Sequence, residues 1–129
     1  MNYVTVEEVY AIHQMMILVG GGRGDIHDFT LLHSAVERPK ASFAGQDLYH
    51  SMWQKAAALL HSLVKNHPFD DGNKRTAYYA TSRFLHINGY SLKATKKEII
   101  PFMVSVDVKN LRLTTIAAWL KAHSRKQKP

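Results

Sequence analysis

Residues 53–87 read WQKAAALLHSLVKNHPFDDGNKRTAYYATSRFLHI, two helical patterns separated by a polar bend. In the first pattern, apolar residues at helical spacing predict one buried stripe: Trp53, Ala56, Ala57, Leu60, Leu63 and Val64. The second pattern has the same spacing at Ala77, Ala80, Phe84 and Ile87. Pro68 disfavours helical geometry at His67, so we expect the first helix to end near Asn66 and the second to begin around residues 72–73.

Capping signals before this pair predict two more helices. Thr5-Val6-Glu7-Glu8 is a capping box, and the helix that it begins should end near Val19, where the glycine-rich residues 20–24 follow. Asp28 can cap a second helix that ends at about Glu37.

The remaining segments predict one small β element and further helices. Pro39 stops the second helix, and residues 40–46 are too short and mixed for another helix, so we expect a hairpin or extended flap. The long helix should then begin at Asp47. Thr95-Lys96-Lys97-Glu98 is a second capping box, and Pro101 predicts a kink or a shifted start in its helix. A last helix should begin at about Thr115. The fold class is therefore all-α with a short β-hairpin flap.

The composition describes one small domain without thiol chemistry. The chain has 129 residues and no cysteine, which excludes disulfides, zinc–thiolate sites and thiol catalysis. No apolar run approaches the roughly 20 residues that cross a bilayer, and the N-terminus lacks a signal-peptide pattern. We therefore expect a cytoplasmic protein with no membrane partner. The net charge is +7, and much of it lies near the end of the chain. We therefore interpret residues 1–121 as one domain and residues 122–129 as a flexible basic tail. Because the charge is concentrated in that tail, we do not expect nucleic acid as a partner.

The bend at residues 67–75, HPFDDGNKR, places phosphate-binding chemistry at the start of a helix. A helix N-terminus presents unpaired N–H groups to an anion, and Gly72 allows close approach of the backbone. Asn73 adds an amide donor, while Lys74 and Arg75 add charged donors. These residues together predict a phosphate cradle.

Three other side chains of the bend suggest a reaction. Mg²⁺ usually binds through one or two carboxylates together with phosphate oxygens, so the carboxylates of Asp70 and Asp71 fit a metal–nucleotide complex. His67 can accept a proton near neutral pH, and Phe69 is an apolar anchor for the loop. The set indicates group transfer from a magnesium–nucleotide complex to a hydroxyl. A polar turn in which either aspartate caps the next helix is the alternative that composition leaves open.

The bend resembles the signature of the Fic/Doc family, His-x-Phe-x-(Asp/Glu)-Gly-Asn-x-Arg, at every fixed position: His67, Phe69, Asp71, Gly72, Asn73 and Arg75. The resemblance spans roughly residues 3–121 and is closest to the Doc (death-on-curing) branch. It rests on the segments SAVERPKASFAGQDLYH (34–50), LLHSLVKN (59–66) and RTAYYATSRFLHINGY (75–90). It implies a compact helical bundle with a β-hairpin flap over the site, here at about residues 39–46.

The resemblance also implies roles for individual residues. Members of the family transfer part of a nucleotide to a hydroxyl of a protein, on Ser, Thr or Tyr. Carried over, His67 is the catalytic base, Asp71 holds Mg²⁺ and Phe69 is structural. Phosphate binding falls to Gly72, Asn73, Lys74 and Arg75, and docking of the target to the flap residues Ala41, Ser42 and Phe43.

The residue at position 74 distinguishes two reactions within the family. AMP-transferring members have a small glycine at that position and a second arginine three residues after the first, where this chain has Tyr78. Lys74 resembles the Doc branch, which transfers the γ-phosphate of ATP, although Gly72 matches the AMP-transferring pattern. We expect Mg²⁺ and ATP as cofactors and phosphate transfer as the reaction. AMP transfer is the alternative, and a non-catalytic module that binds nucleotide or RNA is the second alternative.

The resemblance finally implies partners. The family's inhibitory pattern, Ser/Thr-x-x-x-Glu-Gly/Asn, does not occur in the sequence. Control should then come from a separate antitoxin, and an acidic segment folding onto the basic chain would suit this role. The Doc branch points to translation, with elongation factor Tu as a possible substrate, but no residue encodes that choice.

Overall fold

A computed structural model describes residues 1–128 of the chain. Its helices are α1 (Val6–Gly20), α2 (Phe29–Glu37), α3 (Met52–Lys65), α4 (Asn73–His86), α5 (Lys96–Val108) and α6 (Leu113–Ala122). Its strands are β1 (Ser42–Phe43), β2 (Gln46–Asp47), β3 (Tyr90–Leu92) and β4 (Ser124–Lys126). The predicted all-α class with a short hairpin is confirmed.

Helix α3 lies at the centre of the bundle and packs against α2, α4 and α6. The sequence predicted one buried stripe, but residues 56–60 are all completely buried, so the middle of α3 is covered on every side. Ala58, whose position lies outside the predicted stripe, is among them. Small alanine side chains let neighbouring helices approach α3 closely, and for this reason the core extends beyond the apolar periodicity.

The local helix signals were accurate at most ends of helices. The Thr5 hydroxyl accepts a hydrogen bond from Glu8 N and the Glu8 carboxylate accepts one from Thr5 N, both at 3.1 Å, which confirms the first capping box. The predicted start of α3 at Asp47 is wrong, because Asp47 belongs to strand β2. Ser51 caps α3 instead, accepting a hydrogen bond from Gln54 N at 3.1 Å.

Helix α5 begins directly after Thr95, where the capping box predicted its start, and continues through Pro101. Its start is therefore not shifted, and the alternative of a kink at Pro101 stays a prediction. Proline lacks one N–H group, and the loss of one hydrogen bond does not interrupt this helix. Helix α6 begins at Leu113, two residues before the predicted Thr115.

Two antiparallel pairs of strands complete the fold within residues 1–128. Strands β1 and β2 form the expected hairpin, two residues long on each side, while Arg38–Lys40 form a 3₁₀ turn before it. Strand β3 pairs with β4, which the sequence did not predict. Residues 124–126, interpreted from the sequence as part of a flexible tail, are thus held by pairing with Tyr90–Leu92; Pro129 lies outside the described residues.

No helix in the described part of the chain combines the length and apolar character that crossing a bilayer requires.

Candidate nucleotide-binding site

The bend at residues 67–75 connects α3 to α4 and lies against the glycine-rich loop that follows α1. Ile26 and Phe69 form an antiparallel bridge. His27 N donates to Pro68 O at 2.8 Å, and Asp70 N donates to Asp25 O at 3.1 Å. The glycine-rich loop is therefore not only the end of α1, as the sequence indicated, but also a support for the bend.

A buried histidine holds the bend from below. The His13 ring is completely buried and stacks on Phe69, with the ring centroids 3.6 Å apart. Its Nε2–H donates to the Asp71 carbonyl oxygen at 2.8 Å, and the Gln14 amide donates to its Nδ1 at 3.3 Å. Burial lowers the pKa of His13, which favours the neutral ring that this pattern requires. Phe69, 2% exposed, is the anchor that the sequence predicted.

The first turn of α4 is open at its N-terminus. Gly72, in the left-handed region with φ of 78°, precedes the helix, and no side chain caps it. The Asn73 side chain instead binds the preceding loop: its Oδ1 accepts from Phe69 N at 3.0 Å and its Nδ2 donates to Phe69 O at 2.9 Å. Asn73 thus fixes the shape of the bend in this structure, while the helix N-terminus keeps room for an anion.

Arg75 is bonded to the end of α1. Its guanidinium donates to Met16 O at 2.9 Å and to Gly21 O at 3.1 Å. A Cβ atom at Gly20 would overlap this guanidinium, so a larger residue there would displace Arg75 from this position. The positive group satisfies carbonyls at a helix C-terminus, where cations are favoured. Phosphate binding by Arg75 stays a prediction.

His67 and Lys74 meet at one carboxylate, that of Asp107 near the end of α5. Lys74 Nζ lies 3.2 Å from Asp107 Oδ2, and His67 Nε2 lies 3.8 Å from Asp107 Oδ1. Lys65 Nζ donates to the Asp107 carbonyl oxygen at 2.6 Å. His67 itself has a φ of 47°, rare for a residue with a side chain, and its ring is more than half exposed. A strained, accessible histidine beside two cations fits a functional position.

Asp71 presents its carboxylate on the other side of the bend. Its Oδ2 accepts a hydrogen bond from Arg23 N at 2.8 Å. The neighbouring Asp70 carboxylate faces side chains instead, with the Arg23 guanidinium at 3.8 Å and His27 Nδ1 at 3.6 Å. Residues 1–128 contain no group of three or more His, Asp or Glu side chains that could hold a metal ion by themselves. Asp71 fits Mg²⁺ only in the way Mg²⁺ often binds, through one carboxylate with phosphate oxygens and water.

An apolar cavity of about 490 Å³ opens beside Lys74 and Arg75. It lies between the end of α1, the start of α4 and α5, and its wall includes Met16, Tyr78, Ile99 and Met103. An apolar cavity of this size next to convergent charged groups is typical of a small-molecule site.

The flap residues lie apart from these contacts. Phe43 is 79% exposed, so its side chain does not cover the core. Ala41 O accepts a hydrogen bond from Leu48 N at 2.8 Å, and no hydrogen bond or ion pair within the described chain joins residues 41–43 to the bend. Docking of a target by Ala41, Ser42 and Phe43 stays a prediction.

Sequence reasoning missed three residues of the site: His13, Arg23 and Asp107. His13 lies 58 residues from its partner Asp71, and Lys74 lies 33 residues from Asp107. No spacing within one segment signals such pairs. The position of His13 inside the first predicted helix was the nearest hint in the sequence, and it indicated only a surface histidine or a satisfied, partly buried one.

Comparison with known proteins assigns the chain to a class. The model of the Fic/DOC family matches residues 3–85, which contain the whole bend. The chain belongs to the Fic/DOC family.

Two relatives refine this assignment. "Toxin Doc" of Mycolicibacterium smegmatis is 54% identical over 74 residues, 57% of this chain and 57% of that protein. "Protein kinase doc" of Escherichia phage P1 is 29% identical over 89 residues, 69% of this chain and 70% of that protein. The chain thus spans little more than half the length of the first relative. Both relatives carry the name Doc, which confirms the resemblance to the Doc branch.

Proposed function

We propose that this protein transfers the γ-phosphate of Mg-ATP to a hydroxyl group of another protein, acting as a toxin. One observation carries the proposal: His67, Lys74 and the uncapped first turn of α4 converge at the end of one helix. The printed name of the phage P1 relative, a protein kinase, supports the reaction class.

Each residue of the site has one role in this reaction. The target hydroxyl oxygen forms a bond to the γ-phosphorus, the bond between that phosphorus and the β–γ bridging oxygen breaks, and ADP leaves. His67 accepts the hydroxyl proton, for which its half-exposed ring is accessible. The N–H groups at the start of α4 and the Lys74 ammonium stabilise negative charge on the phosphoryl oxygens. Asp71 would hold Mg²⁺, which neutralises phosphate charge when bound.

Lys74 favours phosphate transfer over AMP transfer. Its side chain is 45% exposed and its ammonium lies 3.2 Å from Asp107 Oδ2, so we infer that it takes space at the helix start that a polyphosphate chain would need. A fixed ammonium is suited to one phosphoryl group as a point charge. AMP transfer, with the α-phosphorus as the centre attacked, remains the alternative because Gly72 matches that pattern.

An antitoxin partner is the second part of this proposal. The cavity beside Lys74 continues into an exposed apolar surface that includes Met15, Val19, Tyr79, Ile100 and Val104. Lys74, Arg83 and Lys96 border it, so the surface suits an amphipathic acidic segment of an antitoxin. The name of the mycobacterial relative, a toxin, supports such a partner. A chain that is harmless when overexpressed and copurifies with nothing would contradict it.

The decisive test uses ATP labelled on either the α- or the γ-phosphate. The purified chain, freed of any partner, is incubated with bacterial lysate and Mg²⁺, beside purified elongation factor Tu as a defined probe. We expect label on a protein only from the γ position, and the His67→Ala variant should lose nearly all transfer while retaining nucleotide affinity.

His33→Ala is the matched control, because His33 is an exposed histidine on α2 and should leave transfer unchanged. Label from the α position alone would establish AMP transfer instead. Label from neither would favour a module that binds nucleotide or RNA without catalysis.

A further inference from the structure

The β1–β2 hairpin, residues 41–48, has a free tip and a fixed base. At the tip, Ala44 and Gly45 have positive φ values of 53° and 80°, and Phe43 is 79% exposed. At the base, Leu48 N donates to Ala41 O at 2.8 Å and closes the hairpin. A hairpin with two-residue strands has little stability of its own, so other contacts must hold it in place.

Lys55, on helix α3, supplies one such contact to each leg of the hairpin. Its side chain is 4% exposed, which is unusual for a lysine. The ammonium donates to Pro39 O, before the hairpin, and to Asp47 Oδ2, in its second strand, both at 3.2 Å. One buried cation therefore ties the incoming and the outgoing chain to the same point on α3.

Arg38 forms a second tie of the same kind. It donates to the Tyr49 hydroxyl at 2.8 Å and to Ser62 Oγ at 2.8 Å. Arg38 precedes the hairpin, Tyr49 follows it and Ser62 belongs to α3. The base of the hairpin is thus fixed twice to the most deeply buried helix.

We infer that Lys55 is a positioning residue that holds the hairpin base so that the exposed hairpin edge can receive an extended segment of the protein substrate. The inference rests on the proposed function and on the predicted docking of the target at Ala41, Ser42 and Phe43. Addition of a strand to an edge is a general mode of peptide binding, and an edge that is already ordered loses less entropy when the segment binds. Lys55 touches neither nucleotide nor reacting hydroxyl, so its loss should weaken target binding rather than the transfer step.

Lys55→Met tests this role because methionine retains an apolar stem but has no ammonium. Chymotrypsin cleavage after the exposed Phe43 reports opening of the hairpin, and we expect about tenfold faster cleavage in the variant. In the labelling assay, a dilution series of lysate gives an apparent KM for the target. We expect this KM to rise about fivefold or more while kcat and the KM for ATP stay unchanged.

Lys40→Met is the matched control, because Lys40 lies beside the hairpin but pairs on the surface with Glu37 at 2.8 Å. Asp47→Asn weakens only one of the two contacts of the Lys55 ammonium and should give a smaller change in the same direction. This variant decides the question if Lys55→Met does not fold. Unchanged cleavage and unchanged target KM in a folded Lys55→Met or Asp47→Asn variant would overturn the inference. The cleavage assay does not depend on transfer activity. A wrong assignment of the reaction is therefore distinguishable from a wrong assignment of Lys55 as the residue that holds the hairpin.

Discussion

The starts of α1 and α4 solve the same chemical problem in opposite ways. Both helices begin with N–H groups that lack partners within the helix. At α1, Thr5 and Glu8 satisfy each other's backbone groups in a capping box. At α4, Gly72 has no side chain, and the first residue, Asn73, turns its amide back to Phe69. The first end is closed for stability, whereas the second is left open.

An absent cap does not by itself indicate a site. Helix α6 also starts without a side-chain cap, after Arg112. What distinguishes α4 is its surroundings: His67 in a left-handed conformation, Lys74 held by Asp107, and a bend supported from beneath by His13. These surroundings support the proposal that the start of α4 binds phosphate, because rigid support and nearby charged groups accompany its open N–H groups.

Lys74→Met should produce the largest effect among changes at these two helix starts. Removal of the ammonium should lower γ-phosphate transfer about 100-fold, the usual cost of losing one preorganised charged donor at a transition state. The free energy of unfolding should change by less than about 1 kcal/mol, because the Lys74–Asp107 pair is partly exposed. Initial rates with γ-labelled ATP and urea unfolding measure the two quantities.

Lys97→Met provides the control, since Lys97 is an exposed lysine on α5 and should leave both quantities unchanged. An equal loss of activity in the two variants would mean that only overall charge matters. Full activity in Lys74→Met would remove the main argument against AMP transfer.

Acidification should lower the free energy of unfolding through His13, the buried histidine that contacts the bend before α4. Burial lowers the pKa of His13 in the folded chain, so the unfolded chain binds more protons as the pH falls. The stability due to neutral His13 is therefore present above the ordinary histidine pKa of about 6.5 and decreases as the pH falls below it. Burial also lowers the pKa of His61, which adds to the same trend. Urea unfolding at pH 7.5 and at pH 5.5 measures the loss.

The variant His13→Gln separates the contribution of this ring from the others. It should cost about 1–3 kcal/mol at neutral pH, because the Asp71 carbonyl loses the donor that the buried His13 ring supplies. Its stability should also decline less steeply with acidification than that of the unmodified chain. His33→Gln, at an exposed position, should keep the original slope. If the free energy of unfolding of His13→Gln falls with pH as steeply as that of the unmodified chain, His13 does not govern acid stability.

Thr5→Ala should have the smallest effect, and only on stability. Loss of an N-cap hydroxyl costs about 1 kcal/mol. Transfer activity should be unchanged, because the capping box lies at the far end of α1 from the Met16 and Gly21 carbonyls that contact Arg75. Urea unfolding and the labelling assay together check this. A marked loss of activity in a folded Thr5→Ala protein would contradict the division between a stabilising and a functional helix start.

Most of the helical architecture could be predicted from the sequence because its signals are local. A capping box joins residues three positions apart, and buried stripes repeat every three or four residues. The bend at residues 67–75 was equally readable, since all its polar groups are contiguous and match the family signature. One error occurred where a local signal competed with strand pairing: Asp47 looked like a helix start but belongs to β2.

Local patterns in the sequence thus predicted most of the helices, the family and the polar residues of the bend. The side chains that contact the bend from other helices became visible only in the folded chain. Asp107 reaches Lys74 from α5, His13 reaches Asp71 from α1, and Lys55 reaches both legs of the hairpin from α3. Strand β4 likewise finds β3 across the whole of α5 and α6. Such contacts depend on how packed helices bring distant segments together, and no periodicity within one segment encodes them.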